Sequence, residues 1–325
     1  MNILIIYSGG TIGMKKKNNK LVPDSRYLKK YIQKNIELKE KNIPYFRILQ
    51  INPLIDSSNI NICHWNNFIK IIKKNKIYYD GFIIIHGTDT LSFSASALSY
   101  VFYYFKKPII LTGSQFPISK TYKDGHKNLL ESLKIIMKIK KGCYIYFHKK
   151  LLQGNRSTKY SNISNDAFFV PNPIFQKGLK PFRDIVFSKF KKFKNVNIIV
   201  ITFFPNIDLR WIRYIFCIKP QVIILRTFGS GNVPNNIPIL YSLLKKCAAY
   251  GCLIINISQC QHGYVNSKKY AVSDKINNIT NIISAGDMTF EAVITKIFYL
   301  FSLQINKDKI IKLFKKNLCG ERSYY

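Results

Sequence analysis

Four short runs, NILIIY (2–7), GFIIIH (81–86), PIILTG (108–113) and CYIYFH (143–148), are hydrophobic at nearly every position and not at every second one. Strands of that kind are buried on both faces, which restricts the chain to a mostly parallel sheet covered by helices. Helical stripes lie between the runs. Trp65, Phe68, Ile69 and Ile72 form one; Leu91, Ala95, Leu98 and Phe102 a second; Leu129, Leu133 and Ile136 a third. Asp24, after Pro23, marks the start of a further helix carrying Tyr31, Ile32 and Leu38. The regularity breaks between about 150 and 194, where GNRSTKYSNISNDAFFVPNPIFQKGLKPFRD is rich in Asn, Ser, Pro and Gly and reads as a long functional loop and a linker. A second alternating series follows: strand VNIIVITFF (196–204), a helix from Asp208, strand QVIILR (221–226), a helix over 236–249, strand CLIINI (252–257) and helices from Thr289 and Asp308. The expectation is an α/β protein with a larger N-terminal domain (1–183), a linker (184–194) and a smaller C-terminal parallel α/β domain (195–325).

A length of 325 residues suits two domains. No apolar stretch reaches the roughly 18–20 residues of a membrane-spanning helix. The first apolar run has neither a basic segment before it nor a small-residue cleavage site after it, so it reads as a strand and a cytoplasmic location is expected. Seven cysteines without CxxC pairs argue against a disulfide framework and against zinc, and neither a metal nor a cofactor is expected. A formal charge of +35 invites nucleic acid. The lysines are spread along the chain together with many Ile, Asn, Tyr and Phe, however, and runs such as MKKKNNK (14–20) and KFKKFK (189–194) read as solvated loops. The excess reads as one global compositional bias at permissive surface positions, and the positive field would in addition draw in a small anionic or zwitterionic substrate.

Two strand ends carry candidate chemistry. IIYSGGTIGM (5–14) matches neither the dinucleotide fingerprint nor the phosphate-binding P-loop. It is either a plain turn or a ligand loop in which Gly9, Gly10 and Gly13 clear space around Thr11 and let backbone N–H groups approach an oxyanion. GFIIIHGTDT (81–90) ends in Thr88 and Asp89, which either cap the next helix together with Thr90 or share a site with Thr11.

YSGGTIG and HGTDT, with NPLIDSSNI between them and LTGSQFP, QGNRSTK, LRTFGSGNVP and AGDMTFEA after them, resemble the bacterial asparaginase family in its cytoplasmic type I branch, in the right order over nearly the whole chain. The resemblance implies hydrolysis of L-asparagine to L-aspartate and ammonia. It implies Thr11 as nucleophile and a second cluster of Thr88, Asp89 and Lys159. Ser57, with Asp56 and Ser58 beside it, would meet the substrate carboxylate, Asp89 its ammonium, and the backbone of Gly113 and Ser114 the leaving amide. It further implies a homodimer or homotetramer and an effector site for asparagine at Thr158, Arg226 and Cys260, for which ordinary packing of Arg226 and Cys260 is the competing account.

One departure stands out: where the family carries a tyrosine that closes over the site, this chain has Leu21, with Tyr27 six residues on. A catalytically weakened asparagine-binding relative, a sensor or a decayed enzyme, is therefore an alternative, and a basic nucleic-acid-binding protein is another. Glutamine-cleaving subunits of tRNA-dependent amidotransferases share the module but add an N-terminal domain that this reading does not expect here.

Overall fold

The computed structural model describes residues 1–18, 20–24, 26–35, 41–118, 124–173, 190–234, 237–266 and 282–323. It divides into two compact units, Met1–Val170 and Pro171–Tyr325. Leu38 and positions 184–189 of the expected linker lie outside the described residues.

The first unit contains β1 (Asn2–Gly9), β2 (Met14–Lys17), β3 (Lys20–Pro23), α1 (Tyr27–Lys34), β4 (Tyr45–Ile55), α2 (Ile62–Asn75), β5 (Gly81–Ile85), α3 (Leu91–Val101), β6 (Pro108–Thr112), α4 (Asp124–Ile136), β7 (Gly142–Phe147), β8 (Lys150–Gln153), β9 (Thr158–Lys159) and β10 (Phe168–Phe169). Its main sheet runs β4-β1-β5-β6-β7-β8, parallel except for the β7–β8 pair. The four expected strands form its centre, and β5 and β6 are buried at every residue. On one face Ile3, Ile5, Ile83, Ile85 and Ile110 pack against Leu129, Leu133 and Ile136 of α4 and against Leu28 and Ile32 of α1.

Three elements differ from the sequence expectation. β4, an edge strand, is mostly half-exposed and interrupted by Arg47, Gln50 and Pro53, so it lacks the continuous apolar signal of a central strand. MKKKNNK contributes β2 and the start of β3, an antiparallel hairpin in which Lys16 faces Leu21, where a solvated loop was expected. The loop expected from 150 begins with β8 and also holds the short β9–β10 ladder.

The second unit contains β11 (Ile198–Thr202), a 3-10 turn (Arg210–Tyr214) leading into α5 (Ile215–Ile218), β12 (Val222–Thr227), α6 (Pro238–Ala249), β13 (Leu253–Ser258), β14 (Ile282–Ser284), α7 (Phe290–Phe301) and α8 (Lys307–Phe314). Its sheet is β11-β12-β13-β14, parallel throughout. Ile223, Leu225 and Ile254 pack on Leu240, Leu243 and Leu244 of α6. β14 was not expected, being only three residues long. KFKKFK is not simply solvated: Phe190 and Phe193 are buried, and Phe190 stacks on Tyr299 of α7 at 5.3 Å. All seven cysteines are free thiols. Among the described residues no helix is long and apolar enough to cross a membrane.

Candidate active site

Parallel strands deliver their carboxyl ends to one edge of a sheet, and small molecules bind there at the point where the strand order reverses. In the first unit that point is β1. The chain leaves it for β4 on one side and returns through α2 to β5 on the other. The register is level: Gly9 lies opposite Ile55, Tyr7 opposite Ile85, and Ile85 opposite Thr112. Four adjacent strand ends therefore release Asp56-Ser57-Ser58, Gly10-Thr11, Gly87-Thr88-Asp89 and Gly113-Ser114 side by side.

The glycines make this convergence possible. A Cβ on Gly10 would stand 2.5 Å from Gly87 N and 2.6 Å from Gly87 Cα, so the β1 and β5 loops touch backbone to backbone. Gly10 also has φ +91°, a region that side chains disfavour. Thr11 and Thr88 each follow one of these touching glycines. A Cβ on Gly87 would in turn lie 2.5 Å from Ser57 Oγ, which brings the β4 end against the same loop. Beneath Thr11 the buried Tyr7 ring packs under Gly13, and burial, with Asp24 adding to it, pushes its phenol well above the usual value.

Lys159 arrives from the far end of the unit's chain. A turn over Gln153–Ser157, closed by Arg156 N–H to Gln153 O (3.1 Å) and Ser157 Oγ–H to the same oxygen (2.6 Å), leads into the β9–β10 ladder that pairs Lys159 with Phe168. The Lys159 ammonium donates to Thr88 Oγ1 at 2.9 Å and to Asp89 Oδ1 at 2.8 Å. It is 18% exposed and Asp89 61%, so the pair opens to solvent on the carboxylate side. Thr88 is buried, and its hydroxyl donates to Gln115 Oε1 at 3.5 Å. The hydroxyl, carboxylate and ammonium expected to work together are thus assembled.

The capping alternative for Thr88–Thr90 fails for α3: Thr90 occupies the N-cap position without capping, and its hydroxyl donates instead to Ser57 O at 2.7 Å. In the Asp-Ser segment, Asp56 Oδ1 accepts from Ser58 N–H at 3.0 Å, a side-chain-closed turn. Ser57 is buried and Ser58 exposed. Gly113 O accepts from Asn128 Nδ2 at 2.9 Å, and Ser114 Oγ–H donates to Phe116 O at 2.5 Å.

Leu21 sits on the β2–β3 hairpin, 46% exposed. The hairpin is tied to the Thr11 turn by Asp24 N–H to Gly13 O (3.2 Å), and Ile118 N–H reaches Ile12 O (3.1 Å). Tyr27, at the start of α1, donates its hydroxyl to Ile118 O at 2.5 Å, which commits it to the scaffold. Thr158 belongs to the first unit, Arg226 and Cys260 to the second. Arg226 is the penultimate residue of β12, with its guanidinium 5.1 Å from the Phe290 ring centre and its Nε buried without a hydrogen-bond partner; Cys260 is exposed.

Sequence reasoning missed several supporting residues. Gln115 N–H and Phe116 N–H both reach Asp124 Oδ2 (2.8 and 3.4 Å), and Gln115 Nε2 donates to Ser161 O and Ser164 O, holding the loop after Lys159. Asn128 and His86 complete the frame. Gln115 and His86 stand inside the LTGSQFP and HGTDT motifs, but nothing in those motifs shows that Gln115 reaches Ser161 and Ser164 or that His86 reaches Ser94.

A parallel sheet that presents a threonine turn, a second threonine and a lysine–carboxylate pair at adjacent strand ends defines an α/β enzyme acting on a small polar molecule. The chain belongs to the asparaginase family: residues 2–176 match the family model for the asparaginase N-terminal domain and residues 197–314 that for the glutaminase/asparaginase C-terminal domain. It is 33% identical to L-asparaginase 1 of Escherichia coli K12 over 332 residues, covering 98% of this chain and 97% of that protein. Among solved structures, L-asparaginase I of Vibrio cholerae superposes with a TM-score of 0.87 at 34% identity, covering 99% of each chain. The thermostable L-asparaginase of Thermococcus kodakarensis gives 0.82 at 25% identity over the full length of both.

Proposed function

We propose that this chain is an L-asparaginase that cleaves the side-chain amide of L-asparagine with Thr11 as nucleophile. The observation that carries the reading is the Lys159 ammonium set on Thr88 and Asp89 at the strand end whose backbone touches the loop of Thr11. The Thr11 hydroxyl attacks the amide carbon, and a C–O bond forms while its proton passes to a base. The tetrahedral oxyanion meets backbone N–H donors of the glycine loops. The C–N bond then breaks, ammonia leaves with that proton, and water drawn to the Thr88–Lys159 pair hydrolyses the resulting ester to L-aspartate and free Thr11. Ser57, flanked by Asp56 and Ser58, binds the substrate carboxylate, Asp89 its ammonium, and Gly113 and Ser114 line the amide side.

The protein works as a homodimer or homotetramer in the cytoplasm, and asparagine acts as effector through Thr158, Arg226 and Cys260. Sigmoidal dependence of rate on asparagine is expected; hyperbolic kinetics at every enzyme concentration would remove the effector. The deciding experiment is ammonia release with L-asparagine and with L-glutamine from the parent, Thr11→Ala and Lys159→Met. Activity lost in both variants supports the reading, and an inactive parent sinks it. The second reading, a weakened asparagine binder, is favoured by Leu21 standing exposed on the hairpin with Tyr27 held by Ile118. An inactive parent that still binds L-asparagine would select it.

A further inference from the structure

His86 is the residue that carries β5 into the Gly87-Thr88-Asp89 turn. It is buried, its N–H donates to Thr112 O at 2.9 Å, and the edge of its ring meets Phe68 at 6.0 Å between ring centres. Nδ1 lies 2.7 Å from Gly87 O, Nε2 lies 2.9 Å from Ser94 Oγ on α3, and Ser94 Oγ lies 2.9 Å from Trp65 Nε1 on α2. Both ends of this chain have a fixed polarity, because an indole N–H only donates and a carbonyl only accepts. Trp65 therefore donates to Ser94, Ser94 donates to Nε2, and the single imidazole proton sits on Nδ1 and is given to Gly87 O. Burial, the dominant influence, holds the imidazolium form off, with the His86 pKa lowered to about 4.

Gly87 has no side chain with which to fix the peptide leading to Thr88, and it must stay glycine because Gly10 and Ser57 press on it. The imidazole anchors that peptide instead. We infer that His86 is a positioning residue: its Nδ1–H to Gly87 O bond sets the orientation of the Gly87–Thr88 peptide and so places Thr88 and Asp89 under Lys159. This rests on the asparaginase reading of the same site, and it adds a tautomer-defined support from two helices behind the sheet.

Two amide variants separate this role from simple filling of space. In His86→Asn the amide nitrogen is attached where Nδ1 was and still reaches Gly87 O. In His86→Gln it sits one atom further out and reaches Ser94 but not Gly87. Steady-state ammonia release from L-asparagine should show kcat within about threefold of wild type for Asn, and at least tenfold lower for Gln and for His86→Leu, with KM changing less than kcat. Equal kcat for Asn and Gln, or wild-type kcat for Leu, overturns the inference whatever happens to the melting temperature. Should the histidine variants not fold, Ser94→Ala decides: it removes the group that holds Nε2 and so loosens the ring against Gly87 O, so a reduced kcat is expected and an unchanged one is fatal. Failure of the asparaginase reading is recognised separately, by an inactive wild type. Imidazole 15N NMR of the wild type tests the tautomer without turnover, and protonation at Nε2 would overturn the proposal.

Discussion

Lys159–Asp89 in the first unit and Lys296–Glu321 in the second are both lysine–carboxylate pairs, 2.8 and 2.5 Å long, set in opposite surroundings. Lys296 and Glu321 are wholly buried. Lys296 Nζ also donates to Phe314 O and Lys316 O, while Glu321 accepts from Leu318 and Cys319 N–H. Three acceptors around one nitrogen require three hydrogens, so the geometry supports the ionised pair. Burial, the largest influence on both groups, pulls Lys296 below its ordinary value; it would raise Glu321, but the facing ammonium and the two N–H donors prevail and hold that carboxyl low. Every position in that pair is taken. Asp89 has one oxygen on Lys159 and most of its surface in solvent, and Lys159 shares its protons with a hydroxyl. A closed pair holds structure together. An open one has capacity left for a ligand.

The comparison breaks most readily at its open end. Thr11→Ala and Lys159→Met should each lower kcat by about 10²–10⁴-fold, the usual weight of a positioned proton-transfer group or nucleophile. The Lys159 variant should unfold in urea within about 1 kcal/mol of the parent, because an ion pair so exposed contributes little stability. A large stability loss there would place the pair among structural ones.

Lys296→Met should do the reverse. Leaving Glu321 buried and unpaired costs about 3–5 kcal/mol, read as a shift of the urea midpoint, with kcat per folded molecule unchanged. A change under 1 kcal/mol would show that the second pair is not the closed structural unit described here.

pH sharpens the contrast within the first unit. His86 has a folded pKa of about 4 against 6.5 when unfolded. Between those values the unfolded chain binds more protons, so stability is lost as pH falls from about 6.5 to about 4, by about 3 kcal/mol from this one group. Denaturant midpoints across that range should fall for the parent and fall less for His86→Asn. An equal slope in both would remove the neutral buried histidine from the account.

The smallest effect concerns the lid. Leu21→Tyr adds a hydroxyl to the exposed hairpin next to the Thr11 turn and should raise kcat by a few-fold at most; no gain would argue against a turnover penalty from Leu21. This differs from a polar network such as that of His86, where each partner is already satisfied.

Much of the first unit could be read from its residues. β5 and β6 are buried at every position, and their unbroken apolar sequence announces it. β4 could not be read that way, because an edge strand keeps solvent on one side and its Arg47 and Gln50 resemble loop residues. The N-cap of α7 was legible at Thr289, which accepts from Ala292 N–H at 3.2 Å. Thr90 looked equally like a cap, and its hydroxyl went to Ser57 O instead, a partner 33 residues away. The buried Lys296–Glu321 pair had no sequence signal at all, since α7 shows a lysine at an inward position only once the C-terminal segment supplies its carboxylate.

Sequence alone determined the kind of sheet and which motifs would end its strands, because burial on both faces writes continuous hydrophobicity and tight backbone contact writes glycine, both local properties. Only the tertiary structure decided which hydroxyl, ammonium and carboxylate meet, and which way the His86 proton points. Those outcomes depend on distances between segments tens of residues apart, and a hydrogen bond that holds at 2.9 Å is gone an ångström or so further out.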